Sequence, residues 1–453
     1  MKTPIISLAF GIAALGTRAA LADETGERCS DAALGVTRDL AGRTLVVGAA
    51  YDNRIIEWDG GHAHYGDLAI ARLRRGGELD ASFGRGGTLL VDLDDFDSLA
   101  EVIVQEDGIY AAGTTATTVD DRSGAADLVV IATSEAGRPR RDFGRDGTLR
   151  LDFGGDEELA GIAVGPADTL YLAATSTVAG ESNGLVVRLT REGELDETFA
   201  DGGLAWLDTG SSADRLLSLQ VSPRSVRVGG STLVADAAAA MAAEFGHDGR
   251  LSPGYADEGI AVHLVGGTAS AGAVALHGRR GSTTVVVPRD MPSGAVEAVT
   301  VTFDARGRSE SDGVPRVWHT ELPPGAAFSA GAAQGRGALY LSGAIYNADA
   351  TLSRAFLGHV DAGSVDGGFG GGLVTQHLQL DYAMYYDLVV TNGAVTVAGW
   401  EFSESPEGLA ASDALVARYR HDGTLDDSFG DEGVVLLDFQ RGRRVCGPAE
   451  FIE

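Results

Sequence analysis

A turn glycine returns along this chain at Gly77, Gly137, Gly193, Gly249, Gly307, Gly363 and Gly423, in steps of 56 to 60 residues. Six residues after it stands an aromatic: Phe83, Phe143, Phe199, Tyr255, Phe369 and Phe429. The fifth repeat has Gly313 at that place, so its turn reads as shortened or degenerate. A third ladder, Gly48, Gly113, Ala174, Gly230, Pro288, Gly343 and Gly399, ends an alternating apolar run in every repeat. A period of about 58 residues sustained along the chain means that each repeat is one supersecondary unit, able to bury its core only against neighbours. Seven units satisfy all three ladders.

The third repeat lays out its strands most clearly. Leu159 to Val164 and Leu170 to Ala174 are short apolar runs separated by Gly165-Pro166-Ala167-Asp168. Leu185 to Leu189 is a third run, and Leu204 to Leu207 follows the turn at Arg191 to Asp196 as a fourth. Short runs of β-formers punctuated by glycine and aspartate are strands, and no window carries a helical period. The expected fold is all-β: a seven-bladed β-propeller with four antiparallel strands per blade. The blades are placed at about 33–95, 96–152, 153–208, 209–264, 265–321, 322–379 and 380–440. A linear solenoid would call for shorter repeats and distinct end caps.

The runs Gly77-Glu78-Leu79-Asp80-Ala81-Ser82-Phe83-Gly84 and Gly423-Thr424-Leu425-Asp426-Asp427-Ser428-Phe429-Gly430 resemble the delta-60 repeat, a bacterial family for which a propeller is expected. Gly193-Glu194-Leu195-Asp196-Glu197-Thr198-Phe199 is similar, with Ala200 in place of the last glycine. The resemblance runs from about residue 35 to 440. It is close in repeats one, three and seven and poor in five. It implies an architecture and carries no catalytic residue with it. In the motif the glycine permits a positive φ, the aspartate can bond nearby amides, and the aromatic can tuck under the neighbouring blade.

The first residues stand apart from the repeats. Lys2, the apolar stretch Ile5 to Leu15 and Ala20-Leu21-Ala22 form the three parts of a cleavable signal peptide, residues 1–22, leaving 23–453 as a single domain. An exported protein, periplasmic or extracellular and without membrane insertion, is expected. The net charge is −30 at pH 7, which argues against nucleic acid or an anionic membrane as partner. Glycine is abundant, with 64 residues against 12 prolines, as many tight turns require. Cys29 and Cys446 flank the repeats, and in an oxidising compartment they read as a disulfide joining the two ends. The repeat phasing is expected to start at a first strand and end at a fourth, so no strand exchange would latch the ring and that bond could serve instead.

The chain carries few motifs that point to chemistry. There is no Gly-x-Ser-x-Gly elbow, phosphate loop, Cys-x-x-Cys or zincin helix, and no catalytic residue is assigned. His62 and His64 in Gly61-His62-Ala63-His64-Tyr65 would share one face of a strand, a weak metal candidate that reads better as an exposed loop. The acidic groups Asp92, Asp94, Asp95, Asp97 and Asp422, Asp426, Asp427, Asp431 have oxygens that calcium favours, but they match no EF-hand spacing and read as solvated turns. No cofactor is expected. The connections between second and third strands open on one face of a propeller. There Tyr51 and Trp58 of unit one, Tyr346 of unit six, and Trp400 and Phe402 of unit seven would share an arc, with Arg54, Glu57, Asn347 and Glu401 among them. Aromatics beside hydrogen-bonding groups suit a carbohydrate or protein ligand. The expected function is a monomeric binding or scaffolding module. The alternatives are a polysaccharide lyase or hydrolase with carboxylates or histidines at the ring mouth, and a purely structural surface protein.

Overall fold

The computed structural model describes residues 30–451 except 59–60, 94–95, 120–121, 267–272, 279–280, 294, 312–313, 316, 335–337, 349–351, 362, 376–381, 392–393, 405–409 and 441–449. The proposed signal segment, Cys29 and Cys446 lie outside the described residues.

Each repeat folds as an antiparallel meander of four strands. The first runs through Ser30–Arg38, Thr44–Trp58, Gly61–Leu73 and Thr88–Val91. The second comprises Phe96–Gln105, Gly108–Val119, Arg122–Thr133 and Thr148–Leu151. The third is Asp156–Val164, Leu170–Val178, Glu181–Leu189 and Leu204–Leu207. The fourth is Arg215–Val221, Val226–Val234, Ala237–Phe245 and Ile260–Leu264. The fifth is Val274–His277, Thr283–Asp290, Val296–Phe303 and Val317–Leu322. Ala326–Gln334, Ala338–Tyr346, Ser353–Asp361 and Leu373–Thr375 form the sixth. Tyr382–Thr391, Ala394–Glu404, Ala410–Arg420 and Val434–Leu437 form the last. Among the described residues, helix is confined to one 3-10 turn, Pro166–Asp168, and no helix is long and apolar enough to cross a membrane.

The first strand of every meander packs against the first strand of the next, and Tyr382–Thr391 packs back on Ser30–Arg38. The sheets therefore stand around a common axis with their first strands innermost. The core lies between sheets rather than within one. Phe83 is buried among Leu45 and Ile70 of its own sheet and Ile109 and Val129 of the next. Phe429 does the same between the last sheet and the first, among Val416, Ala69 and Val46. A flat sheet has two apolar faces to cover, and a ring of sheets covers both with copies of itself.

The repeated motif is the joint between neighbours. The residue after each aromatic donates its amide to the turn carbonyl of the next repeat: Gly84 to Ala136, Gly144 to Glu192, Ala200 to Asp248, Ala256 to Arg306, Gly370 to Asp422, and finally Gly430 to Gly76. Gly77 has φ +96°, and a side chain there would collide with the Gly430 backbone. Arg72, Arg188 and Arg418 lie over Phe83, Phe199 and Phe429 at 4.9, 5.0 and 3.9 Å from the ring centroids. Each also donates to a backbone carbonyl of the following repeat, respectively Glu135, His247 and Arg75. In the fifth repeat, whose motif lacks its aromatic, Trp318 packs against the turn glycine Gly363, as Phe83 packs against Gly137.

The third glycine ladder has a different cause from the one its position suggests. These glycines lie within the second strands, opposite a bulge in the first: the register shifts at Ala33/Gly35, Leu99/Glu101, Leu216/Ser218, Phe328/Ala330 and Tyr385/Asp387. A Cβ at Gly48, Gly113, Gly230, Gly343 or Gly399 would press far inside contact distance of a first-strand carbonyl oxygen. In the fifth repeat, with Pro288 on this ladder, the described pairs of the first two strands run from Val274 opposite Val286 to His277 opposite Thr283 and stop short of the Pro288 rung.

Candidate functional site

The hairpins between second and third strands and the passages from each fourth strand to the next first strand share one face. On that face the structure brings together side chains of the sixth, seventh and first repeats. Trp400 Nε1 donates to the Tyr386 hydroxyl at 3.1 Å. The Tyr346 hydroxyl points at Met384 Sδ, 3.8 Å away, and Met384 stands opposite Trp400 in the sheet. Tyr346 and Tyr51 both act electrostatically on the Tyr386 phenol, whose pKa burial pushes far up. Burial, with the charge of Asp31, raises Tyr51 to about 12. Phe402 extends the row, edge to face with Tyr382 at 6.0 Å. Each of these aromatics keeps a minor part of its surface exposed, and all but Phe402 set a polar tip beside an apolar ring.

Three details differ from the sequence reading. Tyr51, Trp400 and Phe402 lie in second strands rather than in loops, because the hairpins extend as paired strands to Trp58 and Glu404. Glu401 leaves the arc: strand alternation turns it away from Trp400 and Phe402, and it is only 4% exposed, with Oε2 lacking a hydrogen-bond partner. Burial and the facing Asp413 raise Glu401 to about 7. Asn347 closes its own turn, its amide and Oδ1 both bonded to Leu352. Arg54, Trp58, His62 and His64 have backbone places in the first hairpin, with His62 opposite Glu57 and His64 opposite Ile55. Their side chains lie outside the described residues, as does that of Glu57. Asp426 and Asp422 bond Ser428 and Thr424 in their turns. The surface hollows around Glu194 and Gly202 and around Gly84 and Gly137 belong to the outer turns, on the opposite face.

Sequence reading missed the groups immediately after the bulges. Tyr386 is itself a bulged residue, out of step with the alternation on either side. Asp387, next along, accepts the amides of Val36 and Leu388, each at 2.7 Å. Burial lifts Asp387 to about 7, and burial with the charge of Asp387 lifts Glu101 to about 8. These two acids sit on the innermost strands of the seventh and second repeats, and the equivalent residue of the first repeat, between them, is Gly35. Both retain some accessible surface on the innermost strands. His277, on the far side, is lowered to about 4 by burial and lies 3.0 Å from Ser218 Oγ.

A family model described as a domain of unknown function (DUF5122) beta-propeller matches residues 168–199. No curated protein matches the chain. Among solved structures it is similar to polysaccharide lyase Uly1, at 9% identity over 85% of this chain and 89% of that one, with a TM-score of 0.48. It is also similar to a mutant of the Aleuria aurantia lectin in complex with alpha-methyl-L-fucoside, at 9% identity, covering 74% and 92%, with a TM-score of 0.39. The beta-propeller domain of the Trilobed protease from Pyrococcus furiosus gives 9% identity, 70% and 92%, and a TM-score of 0.33.

Proposed function

We propose that the chain is an exported seven-bladed β-propeller, of delta-60 type, that binds a carbohydrate or polypeptide at the mouth of its central passage, on the face where repeats six, seven and one meet. The seven-bladed reading is supported by the cycle of first-strand contacts, which returns from Tyr382–Thr391 to Ser30–Arg38. Export rests on the Lys2, Ile5–Leu15 and Ala20-Leu21-Ala22 pattern, and periplasm or extracellular space follows from it. The observation that carries the binding role is the largely buried row of Tyr346, Trp400, Tyr386 and Tyr51, each with a minor part of its surface exposed. Flat rings flanked by phenolic donors stack on sugar faces or seat side chains at little entropic cost.

The test is a glycan and polypeptide binding screen on wild type, Trp400→Ala and Tyr386→Phe. Trp400→Ala should weaken the selected ligand by about tenfold or more, the loss that interface aromatics typically bring. Binding indifferent to both substitutions would remove the mouth as the site.

A second reading, an enzyme acting on polysaccharide, is favoured by one observation: Glu101 and Asp387 are held near neutral pKa with only Gly35 between their positions. Paired carboxylates of shifted pKa can divide acid and base roles. Turnover of a glycan abolished by Glu101→Gln, with binding retained, would favour it over the binding module.

A further inference from the structure

We propose a calcium site at the boundary between the second and third repeats, formed by Asp127, Asp152 and Glu157. Asp127 comes from a third strand, Asp152 follows the fourth strand of the same repeat, and Glu157 is the second residue of the first strand of the next. One carboxylate oxygen of each lies within 4.8 Å of the others. Oxygens bound to one calcium ion at about 2.4 Å can be no further apart than about 4.8 Å, so the three fit around a common ion. All donors are hard oxygens, and Asp152 is exposed, which leaves room for the water ligands that calcium keeps. Arg150 Nε takes one oxygen of Asp127 at 2.6 Å. Three carboxylates against this one guanidinium leave two negative charges, which a divalent ion balances.

Glu157 carries a buried oxygen that the protein leaves unmet. It is 1% exposed, its Oε1 accepts from Ser176 Oγ at 2.9 Å and Gly155 N at 3.1 Å, and its Oε2 has no hydrogen-bond partner. The Phe153 amide is near enough to lower its pKa but does not meet hydrogen-bond geometry. A buried carboxylate oxygen left bare costs free energy unless something positive meets it.

The next boundary serves as an internal control. Its three equivalent positions are Asn183, Asp208 and Asp214, so the third-strand acid is gone. There Asp214 is fully satisfied by protein: Thr209 N at 2.6 Å, Thr209 Oγ1 at 2.7 Å and Thr232 Oγ1 at 2.5 Å. The fold can thus supply donors to both oxygens of this carboxylate, and at Glu157, where the neighbouring acids are present, it supplies them to Oε1 and leaves Oε2 bare. The acidic triplet itself recurs as Asp413, Asp438 and Asp31 between the last and first repeats, and as Asp67, Asp92 and Asp97 between the first and second. Asp438 and Asp413 both raise the pKa of Asp31, whose own burial raises it most.

The site is independent of any ligand at the mouth. Equilibrium dialysis of chelator-stripped protein against calcium up to about 1 mM, the range of extracellular modules, measures the ions retained. Wild type should retain calcium and melt at a higher temperature with it than with chelator. Asp152→Asn, an exposed change that leaves the fold alone, and Glu157→Gln, which keeps the Ser176 and Gly155 bonds, should each retain one equivalent fewer and show a smaller rise. Magnesium at the same concentration should bind more weakly. No calcium retained by wild type, or wild-type stoichiometry in both variants, would overturn the proposal.

Discussion

A methyl group on Gly399 would press into the Met384 carbonyl oxygen across the bulge. The same rung of the third repeat carries Ala174, opposite Leu159 and beside an equivalent bulge, so a ring can form with a Cβ at this rung. Gly399→Ala should therefore fold but lose about 1–3 kcal/mol, the usual range for overpacking. A urea midpoint equal to wild type would show that the bulge does not need glycine. Glu401 gives a pH prediction. Its folded pKa of about 7 is above the ordinary 4.5, with burial the larger cause and Asp413 the smaller. The raised value means that the neutral form is the one the fold favours. Its contribution is complete below about pH 4.5 and is lost as pH rises through about 7. Wild type should lose up to about 3 kcal/mol between pH 4.5 and 8 from this group. Glu401→Gln should flatten that part of the profile, measured as Tm against pH, while the slope due to Asp387 and Glu101 remains.

At the scale of single elements, the strand Val317–Leu322 does work that the motif performs elsewhere. Trp318 fills the place against Gly363 that Phe83 fills against Gly137, and Thr320 Oγ1 donates to the Gly363 carbonyl at 3.0 Å. Trp318→Ala should cost about 2–3 kcal/mol, below the 3–5 of a wholly buried ring because the indole is half exposed, and Trp318→Phe about 1. Equal urea midpoints for the two variants would sink the substitution argument. How much was legible in the sequence follows from the same physics. Runs such as Leu170 to Ala174 announce strands because alternation and turn residues are local. The bulges are not local: Tyr386 and Asp387 look like one continuous strand until the partner strand defines the register. Trp318 could be placed in a fourth strand, yet nothing in its own repeat tells that it replaces a missing phenylalanine. Glu401 was grouped with Trp400 by proximity in sequence, and the two-residue period of a strand separates them. The acids Asp127, Asp152 and Glu157 come from three strands of two repeats, so only the assembled boundary reveals them as one group.

For the whole molecule the question is how a ring whose described four-stranded repeats each come from consecutive sequence is kept shut. The last repeat meets the first with the same joints that connect every internal pair: Gly430 N to Gly76 O at 2.7 Å and Arg418 Nη1 to Arg75 O at 2.9 Å. The Phe439 amide also donates to the buried Asp31, as that of Leu93 does to Asp97. Gln440 Nε2 reaches the Tyr51 carbonyl, and Glu450–Phe451 pairs in parallel with Arg54 and Ile55 of the first repeat. Closure is therefore supplied by repeat chemistry, and the proposed Cys29–Cys446 bond acts on the unfolded chain rather than as the only clasp. Ser30, beside Cys29, pairs with Tyr51, so the segments leading to both cysteines run back to one sheet. Cross-linking so long a loop should be worth about 6 kcal/mol on the chain-entropy model, less any strain. The non-reduced protein should accordingly run as an internally bridged monomer by mass. Reductant and Cys446→Ser should lower the melting temperature to the same value. Because the other joints persist, the reduced protein should still melt in one cooperative transition with the ring intact. A melt unchanged by both treatments would mean that the two sulfurs are not joined; a melt that splits into two would mean that the joints at Gly430, Arg418 and Asp31 cannot hold the ring alone.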